Sequence, residues 1–339
     1  MLQSSVKLKS PQVMIPGVMV PSWNVQMAVK KGVDHKMLLV TWGGLGDQVC
    51  AEPAIRWATK NFKNKEIYLA SECPELFEHL NFTDVFDLRK VKVNPDNFTP
   101  FYSIVPTEHL AWDFFSHCLT QAVDYCSICM FRKQLPIADR EIQLFAERPN
   151  ADWANLIVDK PENYVVVHAG RHWPSKTFPK VWWDSILEGI RRAGLTPILI
   201  GKDGKMLHTE NTGTVDVNAD GCLDLRNRTS LKELVWLLKN ARILITNDSS
   251  PIHIAAAGKA HIGFIASCKH PDYITHWRNG HWGWRMKNLG HDGIWNYIDH
   301  YPAQEDEIRV DVLPAGLMDR LLPSVDEVIS FVQSKRYEP

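Results

Sequence analysis

No excess of either charge runs through this chain: 38 Lys and Arg stand against 39 Asp and Glu, a formal net charge of -1. Bulk electrostatics therefore give no pull toward nucleic acid or an anionic membrane, although a local basic cleft is compatible with that balance. Long apolar runs are missing as well. No stretch reaches the roughly 20 residues of a membrane-spanning helix, and the N-terminal residues lack the continuous apolar core of a secretion signal. The seven cysteines are odd in number and scattered rather than arranged as a disulfide scaffold, which points to a reducing, cytoplasmic setting. Cys126 and Cys129 form a lone C-x-x-C. A zinc site of the ribbon type needs a second ligand pair at suitable spacing and none is found, so both read as small packed hydrophobes. Neither Gly-x-Gly-x-x-Gly nor Gly-x-x-x-x-Gly-Lys-Ser/Thr occurs, which weakens nicotinamide chemistry and nucleoside-triphosphate hydrolysis alike. Asp-x-Asp is absent too, so the expectation is no metal. No internal repeat is evident.

What is present is the composition of a globular chain, 45% hydrophobic and 23% charged over 339 residues. That is too long for one core and suited to two domains. Residues 1–35 carry Pro11, Pro16 and Pro21 without a sustained period and read as an extended arm over the first domain. After them, strands and helices alternate. Residues 37–41 are a short buried strand, and 52–62 a helix with Ala54, Ile55, Ala58 and Phe62 at helical spacing. Residues 66–70 form a strand, 71–80 a helix with Pro74 in its first turn, and 85–88 a third strand. Residues 109–130 read as a helix carrying His117 and Asp124. The polar stretch 147–160, bounded by Pro149 and Pro161, marks a linker, giving an N-terminal domain over 1–155 and a C-terminal domain over 156–339.

The second half restarts with a strand at 164–168, a helix at 180–193 and strands at 196–200 and 222–225. Ser230 opens a helix to residue 240 with Glu233 three positions on, a capping box. A strand at 243–245, a helix at 251–257 and a strand at 260–266 follow. Then comes a loop rich in Trp and His over 270–300, and a last helix over 324–334 with Val325, Val328, Ile329 and Val332 on one face. This alternation predicts an α/β chain: two Rossmann-like, doubly wound parallel sheets with right-handed crossovers.

In such sheets ligands bind beyond the carboxyl ends of the strands. The stretch 243–257 is the most informative: a buried strand, the polar turn Thr246-Asn247-Asp248-Ser249-Ser250, and a helix with Pro251 in its first turn. Backbone N–H groups, the positive end of the helix dipole and two hydroxyls converge there, as an anion requires. The plainer reading is that Asp248 or Ser249 only caps the helix. A second turn, Trp42-Gly43-Gly44-Leu45-Gly46-Asp47, repeats the strand–turn–helix logic; its three glycines let a substrate approach the backbone, with Asp47 at the rim. Ser175, Lys176 and Thr177 offer two hydroxyls and an ammonium to a diphosphate. His253 lies one turn into the later helix, either facing the same crevice or edging the core.

In this order the motifs resemble glycosyltransferase family nine, the heptosyltransferases. They are Gly46-Asp47 with Glu52-Pro53-Ala54 behind it, Lys176-Thr177-Phe178-Pro179, and Asp248-Ser249-Ser250-Pro251-Ile252-His253-Ile254-Ala255-Ala256. Together they span most of residues 37–265. The chain departs from the family pattern at Ser250, where glycine is usual, at Phe178, where tryptophan is usual, and in its N-terminal arm and late loop. The resemblance implies a GT-B fold, with two Rossmann-like domains facing across a cleft. It implies an inverting, metal-independent hexosyl-, heptosyl- or pentosyltransferase with no cofactor beyond its nucleotide-diphosphate-sugar co-substrate. Asp47 would be the general base. Gly43, Gly44, Gly46, Arg171, Ser175, Lys176, Thr177, Asp248, Ser249, Ser250 and His253 would bind the donor.

The acceptor implied by the family is a lipopolysaccharide core sugar. Diverged relatives also resemble bacteriophage enzymes that modify hydroxymethylated cytosine in DNA, which would place the protein in an infected host's cytoplasm. Trp277, Arg278, Trp282 and Trp284 in the late loop fit such an acceptor, since aromatics stack on bases while arginines hold phosphates. Equally, the tryptophans can simply pack the loop. A non-catalytic nucleotide-sugar-binding protein on the same scaffold is the reading from a different class.

Overall fold

The computed structural model describes residues 14–15, 18–19, 35–94, 97–98, 101–103, 137–171, 176–206, 209–266, 271, 274–291 and 320–338. The helix expected over 109–130, with Cys126 and Cys129, lies outside the described residues, as do Ser175, residues 292–300 and most of the arm. Of the arm, Met14–Ile15 pairs antiparallel with Val18–Met19.

The first lobe is a four-stranded parallel sheet. Its strands are β1 (Lys36–Thr41), β2 (Glu66–Ser71), β3 (Asp84–Asp87) and β4 (Phe101–Ser103), in the order β3-β2-β1-β4. Strand alternation splits β1 between two cores. Met37 and Leu39 join the large core with Val49 and Ile55, while Leu38 and Val40 join a smaller one with Ala70 and Leu88.

Helix α1 (Leu45–Asn61) follows β1 and starts seven residues before the expected residue 52, with Pro53 inside it. The earlier start is set by Asp47, whose Oδ2 accepts from the Gly44 amide at 2.8 Å and so caps the first turn. The helix expected over 71–80 is only a 3₁₀ turn, Pro74–Phe77. Its leading groups are taken by a side chain: Gln48 Oε1 accepts from Ser71 Oγ at 2.7 Å and from the Cys73 amide at 3.0 Å.

Midway along α1, Glu52 and Arg56 form a buried ion pair at 2.8 Å, side chains 0% and 3% exposed. Arg56 also donates to the carbonyls of Asp139 and Glu141, and Glu52 accepts from the Gln143 amide. The pair thus ties segment 139–143 to the helix. Arg56→Met strands a buried carboxylate and is expected to cost about 3–5 kcal/mol in chemical denaturation. The double variant Glu52→Gln/Arg56→Met should recover part of that loss.

Much of the polar stretch expected as a linker is a packed helix. Residues Asp152–Asp159 form α2, with Ala154 and Ile157 buried and the Trp153 ring edge-on to Trp236 at 5.9 Å. Its apolar face outweighs the flanking prolines.

The second lobe's main strands are β5 (Tyr164–His168), β6 (Gly170–Arg171), β7 (Thr196–Leu199), β8 (Gly204–Met206), β9 (Thr209–Thr214), β10 (Leu223–Asp224), β11 (Ile243–Asn247), β12 (His261–Ile265), β13 (Trp277–Arg278), β14 (His281–Trp282) and β15 (Met286–Asn288). Six of them make a parallel sheet in the order β10-β7-β5-β11-β12-β15. The strand order therefore reverses between β5 and β11, the switch point beyond which doubly wound sheets bind ligands. The antiparallel sheet β8-β9-β6 and the β13–β14 hairpin were not legible in the sequence pattern. Helices α3 (Lys180–Arg192), α4 (Leu231–Asn240), α5 (Ser250–Ala256) and α6 (Val325–Lys335) cover the large sheet. The capping box at Ser230 and Glu233 is present, and Ser324 and Glu327 form another. Among the described residues no helix is long and apolar enough to cross a membrane.

Candidate active site

Beyond β1 the chain turns through Gly43, whose φ of +98° suits glycine alone. The Gly43 amide donates to Glu72 Oε2 at 3.3 Å, and Gln48 Nε2 donates to the Gly43 carbonyl at 3.3 Å. Asp47 is half-buried in the first turn of α1, where the helix dipole favours its negative charge. Glu72, just past the carboxyl end of β2, was missed in the sequence; burial pushes its pKa up. The signal available was its place one residue after a strand.

Gly46 serves a different purpose from the one expected. A Cβ there would lie 2.7 Å from His253 Cδ2 and 3.4 Å from Ser250 Cα. Its lack of a side chain lets α1 and α5 meet across the two lobes rather than admitting substrate. The Asp47 turn of one lobe therefore abuts the first turn of α5 in the other.

At the switch point, Asn247 organises the second lobe's loops. Its Oδ1 accepts from the Gly170 amide at 3.2 Å, and its Nδ2 donates to the carbonyls of Gly170 and Lys176 at 3.0 and 2.5 Å. Holding the Lys176 backbone delivers its ammonium to Asp248 Oδ2 at 2.7 Å, with side chains 15% and 3% exposed. Ser249 is the N-cap of α5 in extended conformation without a side-chain cap bond, and Ser250 opens the helix. Thr177 and the exposed Arg171 line an open groove of about 770 Å³ that continues past Asp203, Asp224, Arg226 and Asn227. In it, Arg226 grips Asp224 through two bonds, and Asp203 pairs with Asn227.

His253 does not face this groove. It is buried against Gly46, and its Nδ1 lies 2.7 Å from His276 Nε2. Burial lowers its pKa to about 4, so the ring is neutral. His168, under Gly170, is held neutral in the same way.

The late-loop residues divide. Arg278 is buried, and its guanidinium donates to the carbonyls of Gly258, Ala260 and Trp284. That is a hairpin anchor rather than an acceptor contact, a correction whose reason is that its donors point into backbone. Arg278 and Arg285 both stand over the Trp284 ring, their guanidinium carbons 5.4 and 4.4 Å from its centre. Trp277 and Trp282 meet edge-on at 5.3 Å, and Arg140 stands over both rings at 5.7 and 5.9 Å. Of these, Trp282 is 41% exposed and alone presents a wide aromatic face.

Two parallel-sheet lobes meeting at a glycine turn and a helix tip are the architecture of the GT-B fold. The family model "Glycosyltransferase family 9 (heptosyltransferase)" matches residues 126–265, less than half of the chain, and over that stretch the chain is similar to the heptosyltransferases. No curated protein matches it in sequence. Among solved structures, a family 9 glycosyl transferase from Veillonella parvula DSM 2008 is similar at 11% identity and a TM-score of 0.56, covering 90% of this chain and 98% of that one. The iron-containing dodecameric glycosyltransferase TibC from enterotoxigenic E. coli H10407 is similar at 16% identity and 0.56, over 89% and 77%. E. coli ADP-heptose lipopolysaccharide heptosyltransferase II is similar at 11% identity and 0.52, over 89% and 98%.

Proposed function

We propose that this protein moves a sugar, with inversion, from a nucleotide-diphosphate sugar held by the second lobe to an acceptor hydroxyl presented by the first. In this reading Asp47 takes the proton from the acceptor oxygen as it attacks the anomeric carbon. Lys176, the first turn of α5, and the hydroxyls of Ser249 and Ser250 neutralise the diphosphate as it leaves, so the transfer step needs no metal. Arg171 and Thr177 line the groove that would receive the nucleoside end. The observation that carries the reading is the contact of Gly46 with His253 and Ser250. It brings the turn that carries Asp47 against the first turn of α5, next to the Asp248 that pairs with the Lys176 ammonium.

ADP is the first nucleotide to try, because TibC, similar in fold at 14% identity, has been solved with ADP-D-β-D-heptose. A diphosphate present at 100 times its dissociation constant should stabilise the native state by about 2.7 kcal/mol, read as a rise in melting temperature. Transfer is then assayed with a core oligosaccharide and with duplex DNA containing hydroxymethylcytosine. A steep fall of activity with salt would favour the DNA acceptor. If no nucleoside diphosphate raises the melting temperature and neither acceptor is glycosylated, the reading fails.

A further inference from the structure

Cys50 sits on α1, one turn beyond Asp47; His253 lies on α5, and His276 just ahead of β13. The three come from separate segments of the chain and from both lobes. Their side chains are buried, with relative exposures of 2%, 4% and 5%. The Cys50 Sγ and one ring nitrogen from each histidine lie within 4.8 Å of one another. We propose that these residues form a structural site for one zinc-type divalent ion, which fastens the first lobe to the second.

The chemistry of the donors selects the ion. One thiolate with two imidazoles is a set that zinc takes, whereas calcium and magnesium require oxygen ligands. With zinc–nitrogen bonds of about 2.0–2.1 Å and a zinc–sulfur bond of about 2.3 Å, tetrahedral neighbours sit roughly 3.3–3.8 Å apart. The three donors lie within 4.8 Å of one another, so an ion has to draw the thiolate and the imidazoles about it. His253 Nδ1 and His276 Nε2, hydrogen-bonded at 2.7 Å, have to part by roughly half an ångström for both to ligate, and the proton between them moves to the other ring nitrogen of the histidine that carries it. Binding displaces the thiol proton of Cys50. The fourth corner of the tetrahedron is left to a water molecule.

The surroundings keep the cluster in place. Gly46 leaves no room for a side chain over His253, and the His276 amide donates to Met286 Sδ at 3.3 Å. An ion here would lock the α1–α5 contact from which Asp47 and Ser250 project. It takes no part in the transfer step, and the inference stands or falls independently of the transfer reading.

The test uses the full-length chain. Metal content is measured after expression with and without added zinc. The ion is then removed with a chelator, and cobalt(II) is titrated in while the thiolate-to-cobalt charge-transfer band is recorded. One equivalent of metal per chain, a saturable thiolate band and a raised melting temperature with metal are expected. Cys50→Ser should abolish the band, and His276→Gln should weaken metal affinity at least about tenfold, since even outer partners of ligands cost that much. The Cys126→Ser/Cys129→Ser variant should keep the band. Substoichiometric metal together with no band in the folded wild-type chain overturns the proposal. So does a band that survives Cys50→Ser or disappears with the Cys126/Cys129 pair.

Discussion

Asp47→Asn is expected to lower the turnover of sugar transfer by about 10²–10⁴-fold, the range for loss of a general base, with melting temperature and diphosphate affinity unchanged. The separation is possible because of how the carboxylate is used. One oxygen accepts from the Gly44 amide at 2.8 Å, and an asparagine oxygen makes the same bond, so the turn and helix start survive. What asparagine cannot do is take a proton. Asp47→Ala would remove the cap as well and lose about a further 1 kcal/mol of stability, which confounds the measurement. Glu72 is the control. It is bonded to the same turn through the Gly43 amide, and burial pushes its pKa up. If Asp47→Asn retains full turnover and Glu72→Gln loses it, the base is Glu72.

The strands were legible because each is a short apolar run bounded by turn residues, and Tyr164–His168 and Ile243–Asn247 stand within two residues of their expected limits. The family motifs were legible for a related reason: each lies on a strand–turn–helix, so local sequence fixes its backbone. Helix starts were harder to place. The spacing of Ala54, Ile55 and Ala58 suggested a beginning that the Asp47 cap moves upstream, and Gln48 unravels what Pro74 seemed to open. What one segment does to another could not be read at all. Nothing local says that Gly46 is small because His253 lies against it, that Arg278 spends its donors on three carbonyls, or that Cys50 meets two histidines from the other lobe. These facts depend on how two sheets dock, and docking leaves no periodicity in the chain. The same limit explains why Trp277, Trp282 and Trp284 suggested one acceptor surface, when among these three only Trp282 is exposed.

Lys176→Met should show two losses that a second substitution can tell apart. Asp248, only 3% exposed, loses its ion-pair partner at 2.7 Å, and stranding a buried carboxylate costs about 3–5 kcal/mol of stability. If the ammonium also holds the donor's diphosphate, a charge-assisted bond of about 1.5–3 kcal/mol goes with it. That corresponds to a weakening of nucleoside-diphosphate binding by roughly tenfold to a hundredfold. The double variant Lys176→Met/Asp248→Asn removes the stranded charge while the lysine stays absent. Stability, read in denaturant, should largely return; diphosphate affinity, read by calorimetry on the folded protein, should not. Recovery of both would mean that Lys176 only neutralises Asp248 and that the helix tip at Ser249 and Ser250 carries the diphosphate alone. Recovery of stability without affinity places the lysine in contact with the leaving group, since no rearrangement of the fold is then left to explain the weaker binding.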